Sequence, residues 1–245
     1  MKSKGGLVVE AGSSTTGLRL VGIQNAKGKT FARRVELTDA QGLTRTGQDR
    51  TRALLSRAIE LANRKSAGSR LVVAVDAKDV KVDAGVYLQM LMQAPDAVRK
   101  QLMLQIEGTD FGMCAALGEF CSFAQNRCGV GMMLKVDECS EEDLDSLLFV
   151  TTASILCLGR VVTERTRSCR HRIEVLDAIE IANVCGACVM MEGIDTEAER
   201  DHVFRLGVTL ATGKAICEDE LVVSGPQQQR VTTPQEFVSK LTMMA

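Results

Sequence analysis

Two cysteines, Cys185 and Cys188, have the C-x-x-C spacing that can support thiol chemistry. In a thioredoxin-type pair the thiols lie at a helix start, where the helix dipole lowers their pKa. Here the pattern predicts the reverse order, with a helix that ends near Cys185 and a strand that begins at Ala187. No second C-x-x-C or histidine pair is close enough in sequence to complete a zinc site. We therefore interpret both as packing cysteines, and the nine cysteines of the chain as reduced thiols.

A second chemically distinctive segment is basic. Residues 160–172 carry five arginines and one histidine against a single glutamate. Many such runs are only a solvated face, whereas the functional interpretation is a docking surface for an acidic protein or a phosphate backbone. Aromatic side chains that would stack on single-stranded nucleic acid are absent from it, which favours a protein partner over nucleic acid. The candidate docking residues are Arg165, Arg167, Arg170 and Arg172.

The composition is that of an ordinary globular protein, with 45% apolar and 25% charged residues in 245 positions. This length fits one large α/β domain over residues 1–245. The net charge of −1 excludes a protein that binds polyanions or polycations with its whole surface. No secretory signal is recognisable, and no apolar run approaches the roughly 18 residues of a membrane helix. We expect a cytoplasmic protein.

Short apolar runs alternate with segments of helical period, the elements that must position any site. The predicted helices are Arg52–Asn63, Phe111–Arg127 and Ile173–Cys185, with further helix starts at Ser140 and at the Thr196 capping box. The pattern suggests a β/α barrel, with an open doubly wound sheet as the alternative that periodicity does not separate from it. Residues 225–245 are predicted to form a polar loop and a terminal helix, Pro234–Met243. The predicted strands are Leu18–Ile23, Thr30–Leu37, Leu71–Val75, Leu102–Ile106, Met132–Val136, Ser154–Leu158, Val189–Met191 and Val208–Leu210.

One block, Val189–Glu199 with the sequence VMMEGIDTEAE, resembles the AEGVET strand-turn-helix of the EAL family. Supporting blocks occur in the family's order. They are the opening hairpin over residues 18–37, Val73–Asp76 (VAVD), Leu102–Glu107 (LMLQIE) and Cys128–Leu134 (CGVGMML). The similarity extends from about residue 17 to residue 216, and its specific signal is the EGIDT block.

The resemblance implies a modified TIM-like (β/α)8 barrel with one antiparallel strand. Active members of the family bind cyclic-di-GMP at the carboxyl ends of the strands and hydrolyse it with two divalent metal ions. Such chemistry needs several hard oxygen ligands that converge on ions about 4 Å apart.

Few of the family's metal-binding and catalytic positions carry over. Glu192 matches unambiguously, and Asp76, at the family's Asn position, is an acceptable ligand type. Arg34 stands at a metal-binding Glu position, Lys135 at one of the paired aspartates, and Cys157 at the catalytic Lys.

The remaining acids of this region are displaced from the family's positions. Gly108 stands where a metal-binding Glu is expected, and Glu107, one residue earlier, is predicted to point to the opposite face of its strand. Asp137 and Glu138 form an acidic pair two residues beyond the family's pair. The vestigial ligand-site positions are therefore Glu192, Asp76, Asp137 and Glu138.

This pattern leads to three hypotheses about function. The first is a catalytically inactive EAL-like regulatory protein without a metal cofactor, which acts by binding a protein or another macromolecule. The second is a non-hydrolysing cyclic-di-GMP receptor, and the least favoured third is a residual phosphodiesterase. In the family, the region that corresponds to this basic segment leads into a helix often used in dimer contacts, so a homodimer is a further hypothesis.

The structural alternative for Glu192 is that its side chain orders the turn before the helix capped by Thr196.

Overall fold

The computed structural model describes residues 17–38, 47–64, 69–108, 114–137, 141–166, 172–217 and 220–222. Within these ranges the strands are β1 Gly17–Asn25, β2 Thr30–Thr38, β3 Arg70–Asp76, β4 Leu102–Glu107, β5 Gly131–Val136, β6 Ile155–Leu158, β7 Cys188–Glu192, β8 Leu210–Thr212 and β9 Glu220–Val222. The helices are α1 Gly47–Arg64, α2 Ala77–Gln93, α3 Asp96–Arg99, α4 Cys114–Asn126, α5 Glu141–Thr151, α6 Arg160–Thr166, α7 Arg172–Val184 and α8 Glu197–Arg205. No described helix is both long enough and apolar enough to span a bilayer.

Strands β1 to β8 form a closed barrel. Strands β2 to β8 run parallel in sequence order, and β1 closes the circle because it pairs antiparallel with both β2 and β8. The short β9 adds antiparallel to the first part of β1. Closure excludes the open doubly wound sheet, and the predicted (β/α)8 barrel with one antiparallel strand is confirmed.

Alternation along the strands separates two apolar layers. Residues pointing into the barrel form a small buried cluster of Ile23, Ala32, Val72, Met103, Met133, Ile155, Cys157, Met190 and Leu210. Residues pointing outward pack against the helices in a much larger core, for example Val73 and Leu104 of the strands with Leu55 of α1 and Leu91 of α2. This division follows from the two-residue period of a strand, and it decides which side chains reach the barrel mouth.

The ends of the predicted strands lie within two residues of the observed ones, whereas α1 begins at Gly47, five residues before the predicted Arg52. The strand predicted at Val208–Leu210 is displaced by two residues at both ends. Strand β8 is Leu210–Thr212, because the chain at Val208 is still held by the end of α8. The Val208 amide donates to the Val203 carbonyl at 3.3 Å, and the Thr209 amide donates to Val189 at 2.9 Å. The predicted terminal helix, Pro234–Met243, lies outside the described residues.

Candidate functional site

The carboxyl ends of the parallel strands bring charged side chains together above the apolar interior layer. Each contributing residue lies two positions beyond an inward-facing apolar residue of its strand, so it also faces inward. Arg34 follows Ala32 on β2, Lys135 follows Met133 on β5, and Glu192 follows Met190 on β7. The closed barrel therefore turns residues far apart in sequence into one polar cluster at its mouth.

Six of these side chains form a chain of alternating charge, which we call the ion-pair chain: Arg19, Glu36, Arg34, Glu192, Lys135 and Glu107. Glu36 accepts from Arg19 and from Arg34, whose Nη2 lies 2.9 Å from Glu36 Oε1. Arg34 Nη1 also pairs with Glu192 Oε1. Lys135 Nζ lies 3.2 Å from Glu192 Oε2 and 3.4 Å from Glu107 Oε1.

Glu192 is the centre of this chain, and its side chain is only 7% exposed. Each of its two carboxylate oxygens is engaged by a different cation, one from β2 and one from β5. A carboxylate so deeply buried requires pairing, because an isolated buried charge is very costly. Two cationic side chains thus provide the neutralisation that Glu192 needs.

The pKa values of the two cations follow from the same geometry. Burial by itself lowers the pKa of Arg34, but the carboxylates of Glu192 and Glu36 outweigh it and hold this pKa above its ordinary value. Burial likewise lowers the pKa of Lys135, whereas Glu192, Glu107 and Asp137 together raise it above normal. Both side chains are therefore firmly charged at neutral pH.

The pKa values of Glu36 and Cys157 are shifted in opposite directions. Burial raises the pKa of Glu36, but Arg34 and Arg19 overcome this and lower it below its ordinary value. Cys157 is fully buried next to Glu192, and burial together with that carboxylate raises the pKa of the thiol well above its usual range. The group at the family's catalytic Lys position is thus a neutral thiol, which carries no charge at neutral pH.

The turn after β7 fixes the position of Glu192. Its carbonyl accepts from Thr163 Oγ1 at 2.6 Å, and the next residue, Gly193, has a φ of +77°. Across the turn, a Cβ at Gly213 would lie 2.3 Å from the Ile194 carbonyl oxygen, so only glycine fits there. Thr196 then caps α8 in a reciprocal capping box with Glu199, as predicted. Hydrogen bonds to the backbone therefore order this turn without the Glu192 carboxylate.

An open cavity of about 410 Å³ lies beside the ion-pair chain. It is bordered by the ends of β1, β2, β7 and β8. Its charged lining residues are Arg19, Arg34, Glu36, Arg160, Glu192, Asp195 and Lys214. Four basic and three acidic side chains line it, and Arg19, Arg34 and Arg160 pair with acids of the lining.

The donor set at the mouth does not fit the two-metal centre that the resemblance implies. Both oxygens of Glu192 already contact cationic side chains. Among the described residues, no three His, Cys, Asp or Glu side chains lie together in a way that could hold an ion. Two divalent ions would also have to lie next to Arg34 and Lys135, where like charges repel.

Asp76 and Asp137 lie at the rim of the mouth, outside the ion-pair chain. Asp76 is the N-cap of α2 and accepts from the Lys78 amide at 2.8 Å. Asp137 is exposed, and it lies so close to Gly159 that a Cβ there would be 1.8 Å from Asp137 Oδ1. Glu138 lies outside the described residues. Of the four vestigial positions, the structure places Glu192 at the centre of the cluster and two at its rim.

The predicted direction of Glu107 is wrong. Gln105 Nε2 donates to Glu107 Oε1 at 2.7 Å, and Glu107 also contacts Lys135, so its side chain points into the barrel mouth. The prediction took Gly108 as an inward-facing strand position. Gly108 has a φ of +64°, and strand alternation therefore ends before it. Met103, Gln105 and Glu107 are each two residues apart, and this spacing correctly places Glu107 on the same face as the inward-pointing Met103.

Sequence reasoning also missed the alternation of Arg19, Arg34 and Glu36 across the first hairpin. The register pairs Arg19 with Glu36, and Arg34 lies two residues before Glu36 on the same face. The two-residue spacing of Arg34 and Glu36, which places both on one face of the strand, was visible in the sequence. Their meeting with Glu192 depends on closure of the barrel.

Only part of the predicted basic docking surface can be located. Arg165 is exposed at the end of α6, whereas Arg167 and Arg170 lie outside the described residues. Arg172 begins α7, but its side chain is not among those described. Arg160, in the same segment, pairs with Glu164 at 2.9 Å and with Asp195 at 2.8 Å.

The interpretation of Cys185 and Cys188 as packing residues is wrong. Both thiols are free and exposed, because they lie where α7 turns into β7 at the amino end of the barrel. Cys185 Sγ lies 3.4 Å from Asp145 Oδ1, and burial followed by this carboxylate raises the pKa of the Cys185 thiol. A raised thiol pKa disfavours the nucleophilic thiolate.

Comparison with known proteins identifies solved structures of the same fold. A protein with an EAL domain from Listeria monocytogenes superposes with a TM-score of 0.69 at 13% identity, with 94% of each chain covered. The EAL domain of Xanthomonas citri FimX, solved with c-di-GMP, gives 0.67 at 16% identity over 80% of this chain and 84% of that one. The S helix-GGDEF-EAL structure of Vibrio cholerae LapD gives 0.72 at 14% identity and covers 82% of this chain.

The present chain spans 53% of the length of the LapD structure. No protein-family model and no curated protein matches the sequence. At these identities the likeness establishes the fold, and the fold is the EAL-type (β/α)8 barrel.

Proposed function

We propose that this chain is a non-hydrolysing regulatory protein built on an EAL-type barrel, which acts by binding a protein partner and requires no divalent metal ion. The observation that carries this proposal is the engagement of both Glu192 oxygens by Arg34 and Lys135. In a two-metal hydrolase, carboxylates in this position must be open to ions that activate water. Here Arg34 and Lys135 contact these oxygens instead.

The thiol next to Glu192 supports the same proposal. Cys157 lies there with a raised pKa and full burial, so it is unsuited to proton transfer at neutral pH. A barrel that stays intact around an internally neutralised ion-pair chain can still offer its outer surface to a binding partner. Binding of a protein partner is the use of such a scaffold that needs no site chemistry.

The test begins with the purified full chain. Calorimetric titration with cyclic-di-GMP is performed with and without Mg²⁺ or Mn²⁺, and the same samples are then analysed for hydrolysis, with an active EAL phosphodiesterase as positive control. We expect no turnover in any condition. Metal-dependent hydrolysis would overturn the proposal.

The partner itself is sought with the immobilised full chain in an extract of its source cells. We expect one protein to be retained in near-stoichiometric amount and to be displaced by free chain, also when EDTA is present. Retention of no protein that the free chain displaces would contradict the protein-binding part of the proposal.

A non-hydrolysing cyclic-di-GMP receptor is the second candidate, and the cavity beside the ion-pair chain favours it. This cavity is bordered by Arg19, Arg34, Arg160 and Lys214, groups that can pair with phosphate oxygens. The FimX EAL domain, which shares the fold, was solved with c-di-GMP. For this candidate, micromolar binding without turnover is expected, and it should weaken in a Lys214→Met variant but not in an Arg205→Met control on α8.

A residual phosphodiesterase is the least favoured candidate. It would require the carboxylates at the mouth to exchange Arg34 and Lys135 for two metal ions. The alternating charges of the ion-pair chain oppose that exchange, because each carboxylate that turned to a metal ion would take one ion pair from a partly buried cation.

A further inference from the structure

A second open cavity, of about 770 Å³, lies at the amino end of the barrel, and we call it the amino-end cavity. Its walls come from α4, α5, the turn that leads into β6 and the turn between α7 and β7. A cavity of this volume is in the range of sites for small organic ligands, and one inserted side chain would fill only part of it. None of the six residues of the ion-pair chain lines it, so its use is independent of the barrel mouth.

The apolar part of the lining consists of Leu148, Phe149, Val150 and Ala153. Leu148 and Ala153 are buried, whereas the Phe149 side chain is 81% exposed. The Phe149 ring does not hold α5 to the barrel, because Leu148 and other buried leucines of the helix do this. An exposed aromatic ring beside buried apolar side chains is suited to the apolar body of a ligand.

One wall of the amino-end cavity is held in a strained conformation. Thr152, in the turn between α5 and β6, has a φ of +47°, which is unfavourable for a β-branched residue. Gln125, near the end of α4, binds this residue twice. Its Nε2 donates to the Thr152 carbonyl at 2.9 Å, and its Oε1 accepts from the Thr152 hydroxyl. Such strain persists where the surrounding structure fixes it, most often at functional sites, so this wall of the cavity is preformed.

The one charged residue among the described residues that line the amino-end cavity is Asp145. Its side chain is exposed, and within the described part of the chain its carboxylate has a single hydrogen-bond partner, the Cys185 thiol at 3.4 Å. A thiol is a weak donor. The carboxylate therefore remains open to a stronger, charged donor.

Two helix ends add to the negative potential of this carboxylate. Helix α5 ends at Thr151 and α7 ends at Val184, and the residues directly after them, Thr152 and Cys185, line the cavity. The C-terminal end of a helix carries the negative end of its dipole, which a basic side chain in the last turn can offset. Neither α5 nor α7 has a basic residue in its last turn. The cavity therefore attracts a cationic group and repels an anionic one.

We propose that the amino-end cavity binds a small organic cation, in which an apolar body carries one protonated amine. The amine donates to the Asp145 carboxylate, and the apolar body packs on Phe149, Leu148 and Ala153. Asp145 and Phe149 are four residues apart and share one side of α5, which places the charge next to the ring. This site goes beyond the regulatory function proposed above and does not depend on it.

The first test uses a ring-fluorinated phenylpropylamine, titrated with the full chain and followed by fluorine NMR. The control probes have the same body with a hydroxyl or a carboxylate in place of the amine. We expect the amine to bind about fivefold more tightly than the alcohol, the effect of one partly exposed ion pair, and the carboxylate to bind most weakly. The preference for the amine should shrink as salt is raised. Equal binding of amine and alcohol, tightest binding of the carboxylate, or no binding of the amine would refute the site.

Matched variants locate the charge that the amine requires. Asp145→Asn should abolish the preference for amine over alcohol and leave the affinity for the alcohol unchanged. Glu119→Gln removes a charge from α4 next to Gly118 of the lining but outside the cavity, and should bind both probes like the native chain. Asp145 and Glu119 are both exposed, so both variants should keep the native circular dichroism spectrum. Equal effects of the two substitutions would mean that the amine responds only to the overall charge of the protein, and the assignment would be wrong.

The apolar half of the site is tested with Phe149→Ser and with Val82→Ser on α2, both at exposed positions. We expect Phe149→Ser to weaken amine and alcohol alike, by about threefold or more, because both lose the same ring contact. Val82→Ser should bind both probes like the native chain. Native affinity in Phe149→Ser would contradict the placement of the apolar body.

A last measurement distinguishes a free small molecule from a lysine side chain of the protein partner, which carries the same amine. The fluorinated amine is titrated into the full chain saturated with its stoichiometric partner. We expect the affinity for the amine to be unchanged in this complex. Displacement of the amine by the partner would refute the small-molecule site and leave the proposed function intact. If no partner is retained at all, the proposed function fails, whereas this site is still decided by the titrations of the free chain.

Discussion

At the scale of single residues, the chemistry of the mouth is decided by Glu192 and the two cations that share it. The ion-pair chain neutralises the buried Glu192 with cations of the protein itself. Buried ion pairs contribute little net stability when compared with apolar residues, but removing one partner is expensive. The ion-pair chain is therefore best tested by substitutions that each remove a single ion pair.

The Lys135–Glu192 pair should be strongly coupled. We expect Glu192→Gln or Lys135→Met alone to lower the free energy of unfolding by about 1–3 kcal/mol, because each takes one ion pair from a buried or partly buried charge that keeps its other partner. The double variant should cost less than the sum of the two, with a coupling energy of about 1 kcal/mol or more. Urea unfolding measures all three.

The control for this cycle is the exposed Arg57–Glu60 pair of α1, whose members are 3.0 Å apart. Arg57→Met and Glu60→Gln should be additive within about 0.5 kcal/mol. Additive effects at Lys135 and Glu192 as well would mean that the lysine does not neutralise Glu192.

The shifted pKa values predict a dependence of stability on pH. Because the pKa of Glu36 is lowered in the folded state, its stabilisation is present above the unfolded pKa of about 4.3 and is lost as pH falls through the folded value. Because the pKa of Lys135 is raised, its stabilisation is present below about 10.4 and is lost as pH rises through the folded value.

Unfolding of the native chain is therefore compared with that of Glu36→Gln and Lys135→Met over a wide pH range. The stability deficit of Glu36→Gln should be constant near neutral pH and vanish in acid. The deficit of Lys135→Met should vanish only in strong alkali. A deficit of Glu36→Gln that persists in acid would show that its carboxylate charge is not what stabilises the hairpin.

At the scale of elements, the strand ends position the charges, and helix caps use some of the acids that resemble metal ligands. Asp76 follows β3 and caps α2, so its carboxylate is directed at a backbone amide. The capping box that starts α8 uses Thr196 and Glu199. A local backbone demand thus explains Asp76 without any ligand.

Asp76 provides a test of this explanation. Asparagine caps helices about as well as aspartate, whereas alanine costs about 1 kcal/mol. We therefore expect Asp76→Asn to unfold like the native chain and Asp76→Ala to be destabilised by about that amount, as measured by urea denaturation. If the two variants were equally destabilised, or if Asp76→Asn alone abolished a cyclic-di-GMP signal, the carboxylate would have a role beyond capping.

At the scale of the whole molecule, the barrel presents two contrasting ends. The carboxyl end holds the ion-pair chain and the cavity beside it, and the amino end holds a second cavity next to the exposed Cys185. Both oxygens of Glu192 at the carboxyl end are paired with cationic side chains. The stability of the fold should therefore not depend on metal ions.

We expect millimolar Mg²⁺, Mn²⁺ or EDTA to leave the melting temperature of the full chain unchanged. A folded-state ion at one hundred times its Kd would contribute about 2.7 kcal/mol and raise the melting temperature by several degrees. Differential scanning calorimetry measures this, with an active EAL phosphodiesterase as the protein that should respond. A metal-dependent rise in this chain would show an ion site at the mouth or elsewhere.

The sequence alone determined the alternation of strands and helices and the turn around Glu192, whereas closure of the barrel separated it from an open sheet. These features depend on local periodicity, on caps and on glycine positions, and such signals lie within a few residues of one another. The side-chain direction of Glu107 was predicted wrongly because Gly108 has a positive φ, which ends the strand alternation before it.

Only the tertiary structure decided which charges meet. Arg34 and Glu192 lie 158 positions apart, and closure of the barrel through β1 brings them into contact. The same holds for the exposed side of α5 and α7, because a helical period shows that a helix has an apolar side but not which residues the neighbouring helices leave uncovered. Pairing and exposure depend on how distant elements are arranged in space, and no local pattern encodes them.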